Sequence, residues 1–281
     1  MAVVKYTEVS IAKADNNEDA CYIDEHIAFV LDGATGLFKE RITPEPSDAR
    51  WFAQQWKKYL QANLPDWSRS LSKIIHQGIL DIDKQYMCLP GAADIKSKPS
   101  SGVACCRVRD GKMQFFILGD CAILIIKDDT YLHLAIDDLA FLDSGNIRKA
   151  MEIAKQRNIS VRDARPFIAD GLAAVRFMQN KPGGYWILAG DPDAAYRGYF
   201  GQIDIKDARS ILLMTDGFTQ IFDTLFIHTK PELCQLIRDG VSLETLAKQI
   251  RDAQTLDAGC NKHPRLKTHD DTTAVMWRLI S

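Results

Sequence analysis

Two apolar runs in this chain end in the same dipeptide: Ala28-Phe29-Val30-Leu31 runs into Asp32-Gly33, and Ile211-Leu212-Leu213-Met214 runs through Thr215 into Asp216-Gly217. Such runs predict buried strands, each delivering a carboxylate at its end. Asp-Gly ordinarily marks a turn, and the chain has five, beginning at 32, 110, 170, 216 and 239. Asp110-Gly111 lies between two strand-like runs and reads as a hairpin. Asp170-Gly171 falls in a helical stretch, and Asp239-Gly240 places glycine where a helix ends. At 32 and 216 the chain instead leads toward a helix. A carboxylate at the end of a central strand is a rigid ligand for Mg²⁺ or Mn²⁺, which prefer oxygen donors. Two such cations about 4 Å apart can generate a hydroxide and clamp a phosphoryl oxygen.

The remaining patterning predicts the frame. A strand is expected from Val3 to about Lys13, then strands over Cys21 to Ile23 and Ile27 to Leu31 around a polar Asp15 to Asp19 loop. Ser47 or Asp48 should cap a helix carrying Trp51, Phe52, Trp56, Tyr59 and Leu60, and Asp66 should start a second helix through Ile82. Short runs rich in Val, Ile, Phe and Cys follow over 103–134, with turns at Asp110-Gly111 and Asp128-Asp129. Residues 137–180 read as mainly helical, with a break at Pro166 and a strand over Tyr185 to Leu188. Helices are expected over 218–224, 230–238 and 242–256, and a last strand over Ala274 to Leu279. Strands at both ends predict termini sharing a sheet, so residues 1–281 read as one α+β domain with layered sheets and helices.

Composition removes other classes. The 35 Lys plus Arg against 37 Asp plus Glu leave a formal charge of -2, so no global attraction to nucleic acid or anionic lipid is expected. No apolar run approaches the roughly 18 residues of a membrane span, and the start lacks a signal-peptide pattern, so a cytoplasmic protein is expected. The seven cysteines form an odd set without a CxxC pair and read as reduced buried thiols; none has the Arg six positions on that a cysteine phosphatase needs. No Walker A loop or HExxH helix is present. His269 beside Asp270 reads as a surface or supporting residue, and the Trp51 to Tyr59 aromatics as helix core packing.

Five acidic clusters occur in order: Asn17-Glu18-Asp19-Ala20, Asp32-Gly33, Gly119-Asp120, Thr215-Asp216-Gly217 and Asp270-Asp271-Thr272-Thr273. This ordered set, from about residue 5 to 279, resembles the metal-dependent protein phosphatases of the PPM, or PP2C, family. The resemblance implies a four-layer αββα sandwich, two antiparallel β-sheets flanked by helical pairs, with a flap or helical insertion within about 137–200. It implies two tightly bound Mg²⁺ or Mn²⁺ ions and a weaker third. Asp32 would bridge two metals, with Gly33 as a backbone-carbonyl ligand and Glu18 on one metal; Asp216 and Asp270 would hold the other. Asp19 would orient metal-bound water, and Asp120 would join Asp216 at the third site. The activity implied is hydrolysis of a phosphoserine or phosphothreonine protein by metal-bound hydroxide, and the partner a phosphorylated protein, with no nucleic acid or membrane.

Four positions depart from the family pattern. Its phosphate-binding Arg corresponds to Ala14, and Ala34-Thr35-Gly36 follows the first Asp-Gly, without the family's His. Ser101-Gly102-Val103-Ala104 stands for a Thr-rich motif, and Gln220 for an acidic residue. Lys13, Lys39 and Arg41 are the candidate cations to meet the substrate phosphate, although Lys13, on a strand reaching residue 13, would face away from Ala14. The alternative reading is a pseudophosphatase, a PPM fold kept as a binding or regulatory module.

Overall fold

The reason the apolar runs are continuous lies in what covers each face of the two sheets. The computed structural model describes residues 3–36, 41–95, 97–136 and 138–280. One sheet has the order β1-β10-β9-β6-β7, built from Val3–Ile11, Thr272–Ile280, Ser210–Met214, Ala122–Ile126 and Tyr131–Leu134; the other has the order β2-β3-β4-β5-β8, built from Ala20–Ile23, Ile27–Ala34, Ser100–Arg109, Lys112–Leu118 and Tyr199–Asp204. Every pairing is antiparallel, and the two ends of the chain meet where Lys5 opposes Arg278.

Alternate residues of each central strand enter different cores. Phe29 and Leu31 pack with α1 (Asp48–Asn63) and α2 (Leu71–Met87), whereas Ala28 and Val30 join Ile123, Ile125, Leu213 and Trp277 between the sheets. In the other sheet Leu212 and Met214 face outward onto α6 (Asp216–Asp223), α7 (Lys230–Arg238) and α8 (Leu243–Leu256), while Ile211 and Leu213 face the seam. With apolar partners on both sides, the central positions of these strands are apolar on both faces, and polar residues fall at the strand ends, as Asp32 and Ser210 do. The layers are therefore helix, sheet, sheet, helix. At roughly 25 cal/mol per Å² of apolar surface, a leucine in either outer face contributes about 2–3 kcal/mol.

The helical insertion comprises α3 (Asp138–Arg157), α4 (Val161–Ala164) and α5 (Ala169–Phe177), with a 3₁₀ turn over Arg165–Ile168 at Pro166. Its small core of Ala150, Ala154, Val161, Ala164 and Ile168 closes on Cys260 from the loop after α8.

One open choice is settled and two local expectations change. Ser47 caps α1, while Asp48 accepts from the Thr43 backbone N–H at 3.0 Å and the Tyr86 hydroxyl at 2.9 Å. The second helix starts at Leu71 under a Ser70 cap instead of at Asp66, because the buried Arg107 guanidinium takes the Leu64, Asp66 and Arg69 carbonyls at 3.1, 2.7 and 2.7 Å. A carbonyl drawn onto a side chain is withheld from an i to i+4 ladder. Tyr185 to Leu188 forms only isolated bridges, Leu188 exchanging both backbone bonds with Ser101 before the chain turns away. None of the described helices is long and apolar enough to cross a membrane.

Candidate metal centre

The two sheets deliver their carboxylates to one edge of the seam. Asp32 is opposite Gly102 in the β3–β4 register and shares the seam-facing parity of Ala28 and Val30. Asp216 opens α6 directly after β9 of the other sheet, and Asp120 lies in the connection by which the chain crosses from β5 to β6. One ligand oxygen from each of Asp32, Asp120 and Asp216 lies within 4.8 Å of the others.

The two Asp-Gly glycines explain how the neighbouring segments come so near. A Cβ on Gly33 would lie 2.2 Å from the Glu18 carbonyl oxygen, and one on Gly217 would lie 1.8 Å from the Asp271 carbonyl oxygen. Each glycine thus admits a second acidic segment against the strand end. The Thr215 backbone N–H donates to the Thr273 carbonyl at 3.0 Å, joining the two segments at the level of the site.

Burial sets the electrostatics. It pushes Asp32 well above the usual carboxylate range, with the charges of Asp216, Asp19 and Asp120 adding to it. Asp216 is pushed up to about 7 by burial and then by Asp270 and Asp120. Asp120 is pushed up to about 6 by burial, against a backbone hydrogen bond, with Asp143 and Asp270 raising it further. Carboxylates so placed repel one another, and a cation relieves the repulsion. The Oδ2 atom of Asp32 is buried without a hydrogen-bond partner, facing a donor set made entirely of oxygen. That combination fits a hard divalent cation and not a soft one.

The other predicted site residues adjoin this triad in different ways. Asp19 is buried, accepts from the Thr215 hydroxyl at 3.0 Å, and is raised well above its usual value by burial and then by Asp271. Glu18 is buried and accepts from the Thr35 hydroxyl and, at 2.6 Å, from Lys13 Nζ. Burial raises its pKa, but these hydrogen bonds, the charge of Lys13 and a hydrogen bond with Ser47 together hold it below the usual value. Asp270 accepts from Lys267 Nζ at 3.1 Å on both oxygens. Strand β1 ends at Ile11, so Lys13 escapes strand alternation; it turns into the site and also contacts Asp271 Oδ2 at 3.0 Å. Arg41 is exposed and donates to the Glu45 carbonyl at 3.3 Å in the loop before α1. Lys39 lies outside the described residues. His269 meets the Thr255 hydroxyl at 3.1 Å, away from the triad.

Sequence reasoning passed over four contributors. Lys267, three residues before Asp270, carried the only available signal, a charge near a predicted ligand. Asp271 has its carboxylate on the Lys13 and Glu18 backbone N–H groups at 2.7 and 3.1 Å, which locks the 13–18 loop to the start of β10. Arg251 of α8 donates to the Ala12 and Asp270 carbonyls, both at 3.1 Å, holding the same two segments from behind. Asp143 of α3 joins Asp120, Asp216, Lys267 and Asp270 along a cleft of about 570 Å³, so the insertion forms one wall of the site. The two buried thiols on the strands and turn nearest the triad are poor thiolates: burial pushes Cys105 up to about 12, and Cys121, next to Asp120, well above its ordinary value, whereas Cys88, after α2, is exposed.

No protein-family model and no curated protein matches the sequence. Solved structures do. The Mycobacterium tuberculosis serine/threonine phosphatase PstP/Ppp is 13% identical with a TM-score of 0.61, covering 99% of each chain. The catalytic domain of PstP in complex with two manganese ions is 12% identical at 0.61, covering 100% of each. Serine/threonine phosphatase Stp1 from Staphylococcus aureus is 14% identical at 0.57, covering 100% of this chain and 96% of that one. The likeness is one of fold, and over its whole length this chain has the fold of the PPM, or PP2C-type, phosphatases.

Proposed function

We propose that this chain is a Mg²⁺- or Mn²⁺-dependent phosphatase of phosphoserine and phosphothreonine in proteins, working at a cluster of two or three such cations. The observation that carries the proposal is the convergence of Asp32, Asp120 and Asp216 within 4.8 Å around a buried Asp32 oxygen that has no other partner. Asp32, Gly33 and Glu18 would hold one ion, with Asp32 shared by a second on Asp216 and Asp270, and Asp120 completing the third site. Bound there, divalent cations supply Lewis-acid activation of a water and of the phosphoryl oxygens. Asp19 would accept a proton or orient water at the inner edge of the site, a role supported by the Thr215 hydroxyl that donates to it. Of the two described basic candidates, Lys13 and Arg41, the placement of Lys13 supports a role toward phosphate, because its ammonium lies among the acidic groups. The PstP structure with two manganese ions supports the cation assignment by likeness of fold.

One observation favours the second reading, a binding module without turnover: both Glu18 and Asp270 are ion-paired to lysine. The two readings separate on hydrolysis of an aryl phosphate and of phosphoserine or phosphothreonine peptides with Mn²⁺ or Mg²⁺. The phosphatase reading expects turnover that a chelator abolishes reversibly and that Asp32→Asn and Asp216→Asn each reduce at least a hundredfold with the fold retained. Turnover that persists without divalent cations, or in Asp32→Asn, would overturn it.

A further inference from the structure

Two lysines sit on the two outer carboxylates of the centre, and the inner triad has none. Lys13 Nζ lies 2.6 Å from Glu18 Oε2 and 3.0 Å from Asp271 Oδ2. Lys267 Nζ lies 3.1 Å from each oxygen of Asp270. None of the described ion pairs involves Asp32, Asp120 or Asp216. The contacts are also built differently from ordinary surface pairs. Lys13 is tied through its own backbone N–H to Asp271 Oδ1 at 2.7 Å, so the loop that carries the ammonium is anchored to its target. Lys267 sits in a loop whose fold is held from inside: the Arg265 guanidinium, 7% exposed, grips the Asp257 carboxylate at 2.8 Å and the Gln254 carbonyl at 3.1 Å. The Lys267 side chain is 49% exposed against 16% for Asp270, so the lysine borders open solvent while the carboxylate it holds faces inward.

An ammonium is a compact point charge with three donors, and it draws on the same carboxylate oxygens that a hard cation needs. We propose that Lys13 and Lys267 are tethered competitors for Glu18 and Asp270, so that the centre loads in a set order: a divalent cation enters the Asp32, Asp120 and Asp216 triad first, and a further ion binds only as it displaces a lysine from an outer carboxylate. This inference rests on the metal-dependent reading of the site. It accounts for two lysines beside predicted ligands without abandoning those ligands. It also predicts that later ions bind much more weakly than the first.

Stepwise Mn²⁺ titration by calorimetry on the full chain tests this, comparing the parent with Lys13→Met and Lys267→Met. Lys262→Met serves as the charge control, since Lys262 is exposed in the same loop as Lys267 and its backbone N–H, not its ammonium, holds Asp257. Either site variant should tighten the later ions at least tenfold while changing the first by less than about threefold, and Lys262→Met should shift all ions equally and slightly. Should Lys13→Met or Lys267→Met fail to give a cooperative melt, the Gln variant of the same lysine replaces it, because its amide can still donate to the carboxylate. Equal tightening of every ion, or an effect no larger than that of Lys262→Met, overturns the competition while leaving the phosphatase reading intact. Failure of any variant to bind Mn²⁺ overturns both.

Discussion

Asp32→Asn should change stability in opposite directions with and without divalent cations. The substitution keeps the volume and removes one charge from a buried group. Its ligand oxygen lies within 4.8 Å of those of Asp120 and Asp216. At an effective dielectric constant of about 20, two full charges at that separation repel by about 3.5 kcal/mol. Asp32 itself is pushed well above the usual carboxylate range, and Asp216 and Asp120 up to about 7 and about 6, so the three do not all carry full charge near pH 7 and part of that repulsion is removed beforehand. The Asn amide also brings donors to oxygens that lack them. In chelator at pH 7.5 the variant should therefore be more stable than the parent by about 1–3 kcal/mol, or roughly 2–5 °C in melting temperature for a chain of this size. With Mn²⁺ at a hundred times its dissociation constant the parent should gain about 2.7 kcal/mol, and the variant little. The order of the two melting temperatures then reverses. Thermal melts of both proteins in chelator and in a Mn²⁺ series decide it. A variant less stable than the parent in chelator, with both responding equally to Mn²⁺, would refute the electrostatic account of the centre.

Gly217→Ala should destabilise by about 2–3 kcal/mol and weaken Mn²⁺ binding together, as seen in urea melts and calorimetry, because its Cβ would lie 1.8 Å from the Asp271 carbonyl oxygen, backbone that cannot step aside. Asp257, whose carboxylate accepts from Arg265 and from the Asn261, Lys262 and His263 backbone N–H groups, is held down at about 2 against the opposing effect of burial. A depressed carboxylate stabilises above its unfolded value and loses that contribution as pH falls toward its folded one, so Asp257→Asn should cost about 2 kcal/mol at pH 7 and progressively less from pH 4 to pH 2, measured by denaturant unfolding. Lys13→Ala should raise KM several-fold more than it lowers kcat, because it removes a cation from the phosphate's approach and leaves the inner triad intact; an unchanged KM, with Arg41→Ala also silent, would remove these two lysine and arginine candidates.

The strands, most helices and the acidic clusters could be read locally, because a buried run, a Ser cap and an Asp-Gly step each express a preference over a few residues. The capping box of Thr229 with Glu232 and the Asp110-Gly111 hairpin are of this kind. Even the pairing of the two termini followed from strands at both ends. What the sequence could not show was which core each strand residue enters, since the apolar runs around Val30 and Leu213 look alike on both faces until a second sheet and a helical layer are in place. Nor could it show that Asp66 would forgo a helix, because the guanidinium that takes its carbonyl comes from Arg107, on β4. The same holds for the centre. Asp32, Asp120 and Asp216 converge because β3 and β9 lie in different sheets and the β5–β6 connection crosses between them, a matter of long-range register. Glu18 and Asp270, equally visible as acidic residues, meet lysines instead, since the bend after Ile11 and the Arg265-held loop carry Lys13 and Lys267 onto them. Residue type determined what could bind a cation; the packing of distant segments decided which oxygens are left without a partner.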